Sequence, residues 1–345
     1  MTRIVAAFVV SASCLLSSTA WAQDGRRSVD LTVNQVGISL GDSREVIGLR
    51  INVRDTRLAR VDGVNITMLS PRKSSHGAVR GLALGVPLTG AERLDGIALG
   101  GGVSAEKSLR GISVTAIGAG AGGDLSGIHL AGVGLGAGGN VSGIAAGVVG
   151  IGAGGSLHGI MIGGVGAGSG KDVKGLIIGG IGAAAGERLD GIAIGGIGVG
   201  AGGNGRGLLL GGIGAGVGGS FDGIAIGGLG VGAGGTMRGI AFGGIGVGAP
   251  TVRGIAFGGV GVGGKNLEGI MLSPISVKVT KDGELRGIAI SAFNDIRRGT
   301  QRGLVIGVLN IADELHGMQF GVLNIVRRNP SGRRVLPLLN WNFGG

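Results

Sequence analysis

A glycine returns at a nearly constant interval through this chain, at Gly96, Gly111, Gly127, Gly143 and onward through Gly191 and Gly207 to Gly303 and Gly317; the commonest step is 16 residues, as from Gly191 to Gly207. A short fixed period of this kind is the signature of a solenoid, in which each repeat forms one turn and stacks on the last. Composition removes the competing explanations for so much glycine. With 85 Gly but only 6 Pro in 345 residues, and no three-residue glycine period, the chain cannot be collagen-like. With 43% hydrophobic residues in regular order, it is not a disordered linker either.

The unit Gly191 to Gly203 shows what one turn contains. Ile192 and Ile194 share one parity, while Ile197, Val199 and Ala201 share the other, so the frame shifts once at Gly195-Gly196. Side chains alternate faces along a strand, and a frame shift therefore needs a bend, for which glycine is suited. The pattern predicts two short strands per unit, with Ile192, Ile194, Ile197 and Val199 as core and Gly195 and Gly196 as the corner. A further apolar position, Leu189 in this unit, precedes each opening glycine. Ala193, Gly195, Gly198 and Gly200 are left facing outward as a flat face. The residue just before the opening glycine is mostly charged, and Arg206, Asp222 and Arg238 are expected to form a ladder of opposite charges at exposed turns. The expected fold is all-β, a β-solenoid of about fourteen rungs with ~16 residues each. The alternative is a transmembrane β-barrel with one strand per unit, ending at Phe343. It is disfavoured because membrane barrels carry aromatic girdles, and this chain has no Tyr.

The flanks divide the chain. Residues 1–22 read as an export signal, with Arg3 before an apolar run and Ala20-Trp21-Ala22 as cleavage site. The one cysteine, Cys14, falls inside the apolar run. A lipid anchor there would want a leucine that Ser11-Ala12-Ser13 does not supply. Residues 23–87 alternate apolar and polar side chains with more charge than the middle, and are expected to be an N-terminal β cap over the open edge of the stack. Residues 88–272 are the glycine-rich repeats. Residues 273–345 are expected to be C-terminal repeats and cap, where Asn310 and Asn324 stand in place of a repeat glycine and form an outward ladder of stacked amides. The Gly-Leu-x-Ile-Gly-Val-Leu-Asn run at 303–310, its partner at 317–324, and the ending Leu336-Pro-Leu-Leu-Asn-Trp-Asn-Phe343 resemble the bacterial surface-repeat proteins first defined in leptospiral genomes. The resemblance implies an exported, surface-associated repeat protein of unassigned activity.

Motifs that suggest chemistry do not survive their context. Gly198-Val-Gly200-Ala-Gly-Gly203 matches a dinucleotide fingerprint, yet no helix period follows to carry the phosphate. The four histidines lack metal-ligand spacing. Asp222 and Glu268, three rungs apart, are too distant for paired-carboxylate hydrolysis. Calcium ladders want an aspartate in every unit, whereas Asp124 is followed at that corner by Asn, Ser, Thr or Glu. The expectation is therefore no catalytic residue, no cofactor and no metal. Net charge is +11, but basic residues are spread out and aromatic residues are only 3%, so nucleic acid is not an expected partner. The flat Gly/Ala face suits self-association, and the basic charge suits an outer-membrane or other anionic surface. The expected function is that of a structural or adhesive protein of the cell surface or outer membrane, otherwise periplasmic or extracellular. A barrel or pore, and then a carbohydrate-binding solenoid, are the alternatives.

Overall fold

The computed structural model describes residues 28–69 and 77–343; the expected export signal at 1–22, with Cys14, lies outside the described residues. The protein is all-β and forms a β-solenoid of about 16 residues per turn, not a barrel. It divides into two compact units, Met1–Ala145 and Ala146–Gly345, each built on the same plan.

One rung of the second unit shows the plan. A strand runs Leu189–Gly195 and a second, shorter strand runs Gly198–Ala201. Gly196-Ile197 bends between them, and Gly202-Gly203 leads into the corner toward the next rung. Each strand pairs in parallel with its counterpart in the rungs on either side, so that Gly175, Gly191 and Gly207 are in line, as are Gly182, Gly198 and Gly214. The corners pair as well: Ile197 N–H donates to the Ile181 carbonyl at 2.7 Å, and Gly203 N–H to the Glu187 carbonyl at 2.7 Å. Backbone polar groups at the bends thus find partners, as buried backbone must. This parallel pairing also removes the barrel alternative, because membrane barrels are built from antiparallel strands.

Every opening glycine has the same unusual backbone. Gly191 has φ +132°, and a Cβ placed on it would lie 2.1 Å from the Gly175 carbonyl oxygen. An L side chain is excluded twice over, by the dihedral and by the rung below. The same left-handed φ recurs from Gly37 through Gly48, Gly63 and Gly81, well before the repeat becomes plain in the sequence.

That column revises the expected N-terminal cap. Strand β1 (Ser28–Val33) is antiparallel to β2 (Val36–Gly41). From there β2, β3 (Glu45–Arg54), β4 (Arg60–Leu69) and β5 (Ala78–Ala121) pair in parallel, with Gly37, Gly48, Gly63 and Gly81 in register. The solenoid therefore begins at β2, within the segment expected to be a cap. Uneven spacing and ordinary side chains hide its period in the sequence. At the other end, Val335–Asn342 returns antiparallel along the rung opened by Gly317.

The interior differs from the expected core. Ile192 is 41% exposed and Ile197 49%, and Ile194 is half-buried, whereas Leu189 and Ala193 are fully buried and Val199 is 5% exposed. Leu189 and Ile192 cannot both point inward, because the strand from Leu189 to Gly195 is unbroken and they have opposite parity. Leu189 takes the inside, which leaves Ala193 and Gly195 inside with it and sends Ile192 and Ile194 out. Parity rather than size makes this choice, since Ile177 and Leu209 hold the position of Ala193 fully buried on the two adjacent rungs. A Cβ on Gly195 would sit 2.1 Å from the Gly198 oxygen and 3.1 Å from Val199 Cγ2. Gly195 is accordingly the last inward residue of its strand, and the bend lies one residue on, at Gly196-Ile197, rather than at Gly195-Gly196.

The two kinds of glycine should respond oppositely to a methyl group. Gly191→Ala is expected to destabilise by roughly 1–3 kcal/mol from strained backbone alone. Gly198→Ala, whose Cβ would meet only the Gly214 oxygen at 3.7 Å, should be neutral or stabilise by about 0.5–1 kcal/mol. Denaturant midpoints of the two variants, measured side by side, check the distinction.

Candidate functional surface

Because Leu189 and Ala193 occupy the inside, each rung presents aliphatic side chains to solvent. In the second unit, the first residue after the opening glycine forms one exposed column, as at Ile160, Ile192, Ile224 and Ile255. The third residue forms another, with Ile162, Ile226 and Phe242 exposed and the half-buried Phe257 stacked on Phe242, their ring centroids 4.9 Å apart. The bend residue forms a third, as at Ile181, Ile197, Ile213 and Ile245, each about half exposed. The first unit carries the same columns at Ile112, Ile128 and Ile117. Contiguous exposed apolar surface on this scale marks a contact surface.

On the short strand, Gly198 and Gly200 do face outward, as expected, while Val199 and Ala201 face in. The charged column runs beside the aliphatic columns. Arg206, Asp222 and Arg238 are in register on adjacent rungs, and Arg238 pairs with Asp222 at 3.3 Å with both side chains about half exposed. A pair in that setting contributes little to stability.

The corners hold a ladder that the calcium pattern concealed. Asp124 Oδ1 accepts from Asn140 N–H at 2.8 Å, Asn204 Oδ1 from Ser220 N–H at 2.8 Å, and Ser220 Oγ from Thr236 N–H at 3.1 Å. The Asp, Asn and Ser at this corner are thus acceptors for the backbone one rung on, a role that any short polar side chain can fill. Among the described residues no group of three or more His, Cys, Asp or Glu side chains comes together.

The interior turns polar toward the end of the second unit. Asn310 and Asn324 form a ladder, but they face inward and are fully buried. Asn294 Nδ2 donates to Asn310 Oδ1 at 2.8 Å, and Asn310 Nδ2 donates to Asn324 Oδ1 at 2.7 Å. The outward expectation aligned Asn310 with Gly198. The structure aligns Asn294 with Val277 and Val262, the inward column of Val199. One residue is missing between the opening glycine and this position, since Asn310 follows Gly303 by seven and Val199 follows Gly191 by eight. A one-residue slip moves a side chain to the other face. Gln319 Nε2 donates to Gln301 Oε1 at 2.7 Å beside this ladder, both side chains being buried.

The first unit starts with a charged interior. Arg50 is fully buried and bonds to Asp55, to Asn65 at 3.0 Å and to Asp42 at 3.1 Å. Burial pushes the Asp55 carboxyl above the usual carboxylate range, against the opposing pull of Arg50. Farther along, His129 occupies an inward position, with Nδ1 2.8 Å from Ser113 Oγ. Its Nε2 is buried with no partner, and burial holds its imidazole below the ordinary histidine value. None of these buried groups lies on the exposed aliphatic columns.

No protein-family model matches the chain, and no curated protein or solved structure matches it.

Two variants test the polar interior. Asn310→Ala leaves buried amides of Asn294 and Asn324 short of a partner and should cost about 1–3 kcal/mol of stability, read from the denaturation midpoint. His129 is the pH-dependent case. A histidine whose folded pKa lies below its unfolded value contributes full stability above the unfolded value, and that contribution is lost as pH falls through about 6.5. Thermal unfolding of the wild type should therefore weaken between pH 7.5 and 5 by more than that of His129→Met, which borrows the buried side chain that Met161 has at the equivalent place in its own rung, two residues after the opening glycine. Equal pH profiles would show that His129 does not titrate in this way.

Proposed function

We propose that this protein is a non-catalytic structural repeat protein, exported and held at the cell surface, that acts by presenting its aliphatic columns to a neighbouring surface. One observation carries the reading: rung after rung in each unit places Ile, Leu, Val or Phe on the outside of the long strand, where the fold has no use for them. The columns repeat at about 4.8 Å, the spacing of paired strands, so the surface is an extended grid rather than a pocket. Such a grid suits area contact with another flat body and offers no enclosed place for a reacting group. The reading agrees with the export signal expected at 1–22 and with the resemblance to bacterial surface-repeat proteins carried by residues 303–343.

Fractionation of the cells that make the protein is the test. The wild-type chain is expected in the envelope fraction, shortened by removal of its first 22 residues. A variant with Ile160→Lys, Ile192→Lys and Ile224→Lys should keep its far-ultraviolet circular dichroism and move to the soluble exported fraction. A wild-type chain of full length in the cytosol would overturn the reading, as would envelope retention unchanged by the three lysines.

A further inference from the structure

We infer that the aliphatic face of the second unit is an interface with a second copy of the same chain, packed face to face and antiparallel, with a twofold axis at the rung of Gly239. This partner assignment rests on reading the aliphatic columns as the contact surface, and three features of the face support it.

Size is the first. The rungs opened by Gly159 through Gly317 span about 50 Å at ~4.8 Å per rung, and the face of the long strand from Asp190 to Gly195 spans about 16 Å. The product is about 800 Å² per copy, which is what a standard stable interface covers on each partner. Matching is the second. A copy of this chain is itself a grid of aliphatic residues at the same rung spacing, so the two faces can cover each other rung against rung along the whole length. In an isologous pair each column lies over its own copy in reverse order.

Charge is the third. The column beside the aliphatic face reads Lys174, Asp190, Arg206, Asp222, Arg238, Arg253, Glu268, Arg286, Arg302 on successive rungs. Reversed about Arg238, it sets Asp222 opposite Arg253 of the second copy, Arg206 opposite Glu268, and Asp190 opposite Arg286. Lys174 meets Arg302 and Arg238 meets itself, so opposite pairs outnumber like ones. Moving the axis half a rung either way sets Arg206 against Arg253 or Asp222 against Glu268, which are like charges. The order of charges therefore selects one register, as complementary interfaces do. An anionic lipid surface would instead meet Asp190, Asp222 and Glu268 within its contact edge.

Sedimentation equilibrium of the purified protein, in buffer free of lipid and detergent, should show a dimer. Ile224→Lys with Ile255→Lys should raise the dissociation constant roughly 30-fold or more, the effect of losing a hot spot, with unchanged circular dichroism. Arg206→Glu should weaken the dimer, and adding Glu268→Arg to it should restore the affinity. In a Cys14→Ser background, Ile240→Cys lies beside its own copy across the axis and should oxidise to a covalent dimer, whereas Ile160→Cys, opposite Met318, should not. A wild-type monomer at tens of micromolar overturns the inference, and so does a dimer indifferent to the lysine pair or cross-linked equally by both cysteines. A monomer that sediments with phosphatidylglycerol vesicles and is released by the lysine pair would assign the face to lipid instead. Envelope retention of a chain that stays monomeric would sink the dimer alone, while cytosolic residence of a dimeric chain would sink only the surface role.

Discussion

The stack depends on one close approach, where the opening glycine of each rung lies against the opening glycine of the rung before. At Gly207 a Cβ would be 2.1 Å from the Gly191 oxygen, and at Gly223 it would be 2.0 Å from the Gly207 oxygen. The left-handed φ at this column kinks the long strand without changing which face each residue takes. Leu189, before the kink, and Ala193, after it, therefore share the interior. Any side chain at the glycine would push neighbouring rungs apart and break the parallel pairing on both strands together. The column is thus the joint through which local backbone geometry becomes rung-to-rung register.

Once the joint is set, parity decides which residues are inside, and space decides how large each of them can be. Next to the bend the inward residues are Gly195 and Val199, whereas the columns of Leu189 and Ala193 take larger side chains, with Phe221, Ile177 and Leu209 fully buried there. Neighbouring rungs share that room. Gly205 takes the place of Leu189 one rung on, and a Cβ there would lie 2.7 Å from Val217 Cγ1 and 3.0 Å from Phe221 Cδ2. Phe221, fully buried one rung farther, uses the space that Gly205 leaves, which is the large-against-small packing expected of a dense interior.

The period and the strand class were legible in the sequence because the opening glycine is required at every turn and cannot drift. Inside and outside were less legible. Ranking residues by hydrophobicity places Ile192 inward and Ala193 outward, and burial does the reverse, because parity along the unbroken strand and not apolarity decides the face. Leu189 held the clue: with Leu189 inside an unbroken strand, Ile192 has to face out. Asn310 was misplaced by a single missing residue, which an alignment of glycines passes over but a strand does not. The rungs at Gly37, Gly48 and Gly63 escaped because their spacing is uneven, although each keeps its glycine. The exposed columns, which make the candidate surface, became visible only when parity was known.

Interior and exterior then serve opposite ends of the same problem. Within the first unit the interior begins with Arg50, Asp42, Asp55 and Asn65 and becomes aliphatic farther along; within the second it is aliphatic and ends in Asn294, Asn310 and Asn324 with Gln301 and Gln319. Aliphatic columns are indifferent to register along the stack, since any rung can cover any other. Hydrogen-bonded columns are not, because a rung laid on Asn324 must supply acceptors and donors at fixed places, as Leu336 does through its carbonyl at 3.3 Å. An unrelated strand added there would leave buried amides unpaired, at about 1–3 kcal/mol for each. Growth at the end is therefore selective, while the sides, with their repeating aliphatic columns and alternating charges, remain free to make contact. The association proposed for this protein accordingly uses its flanks rather than its ends.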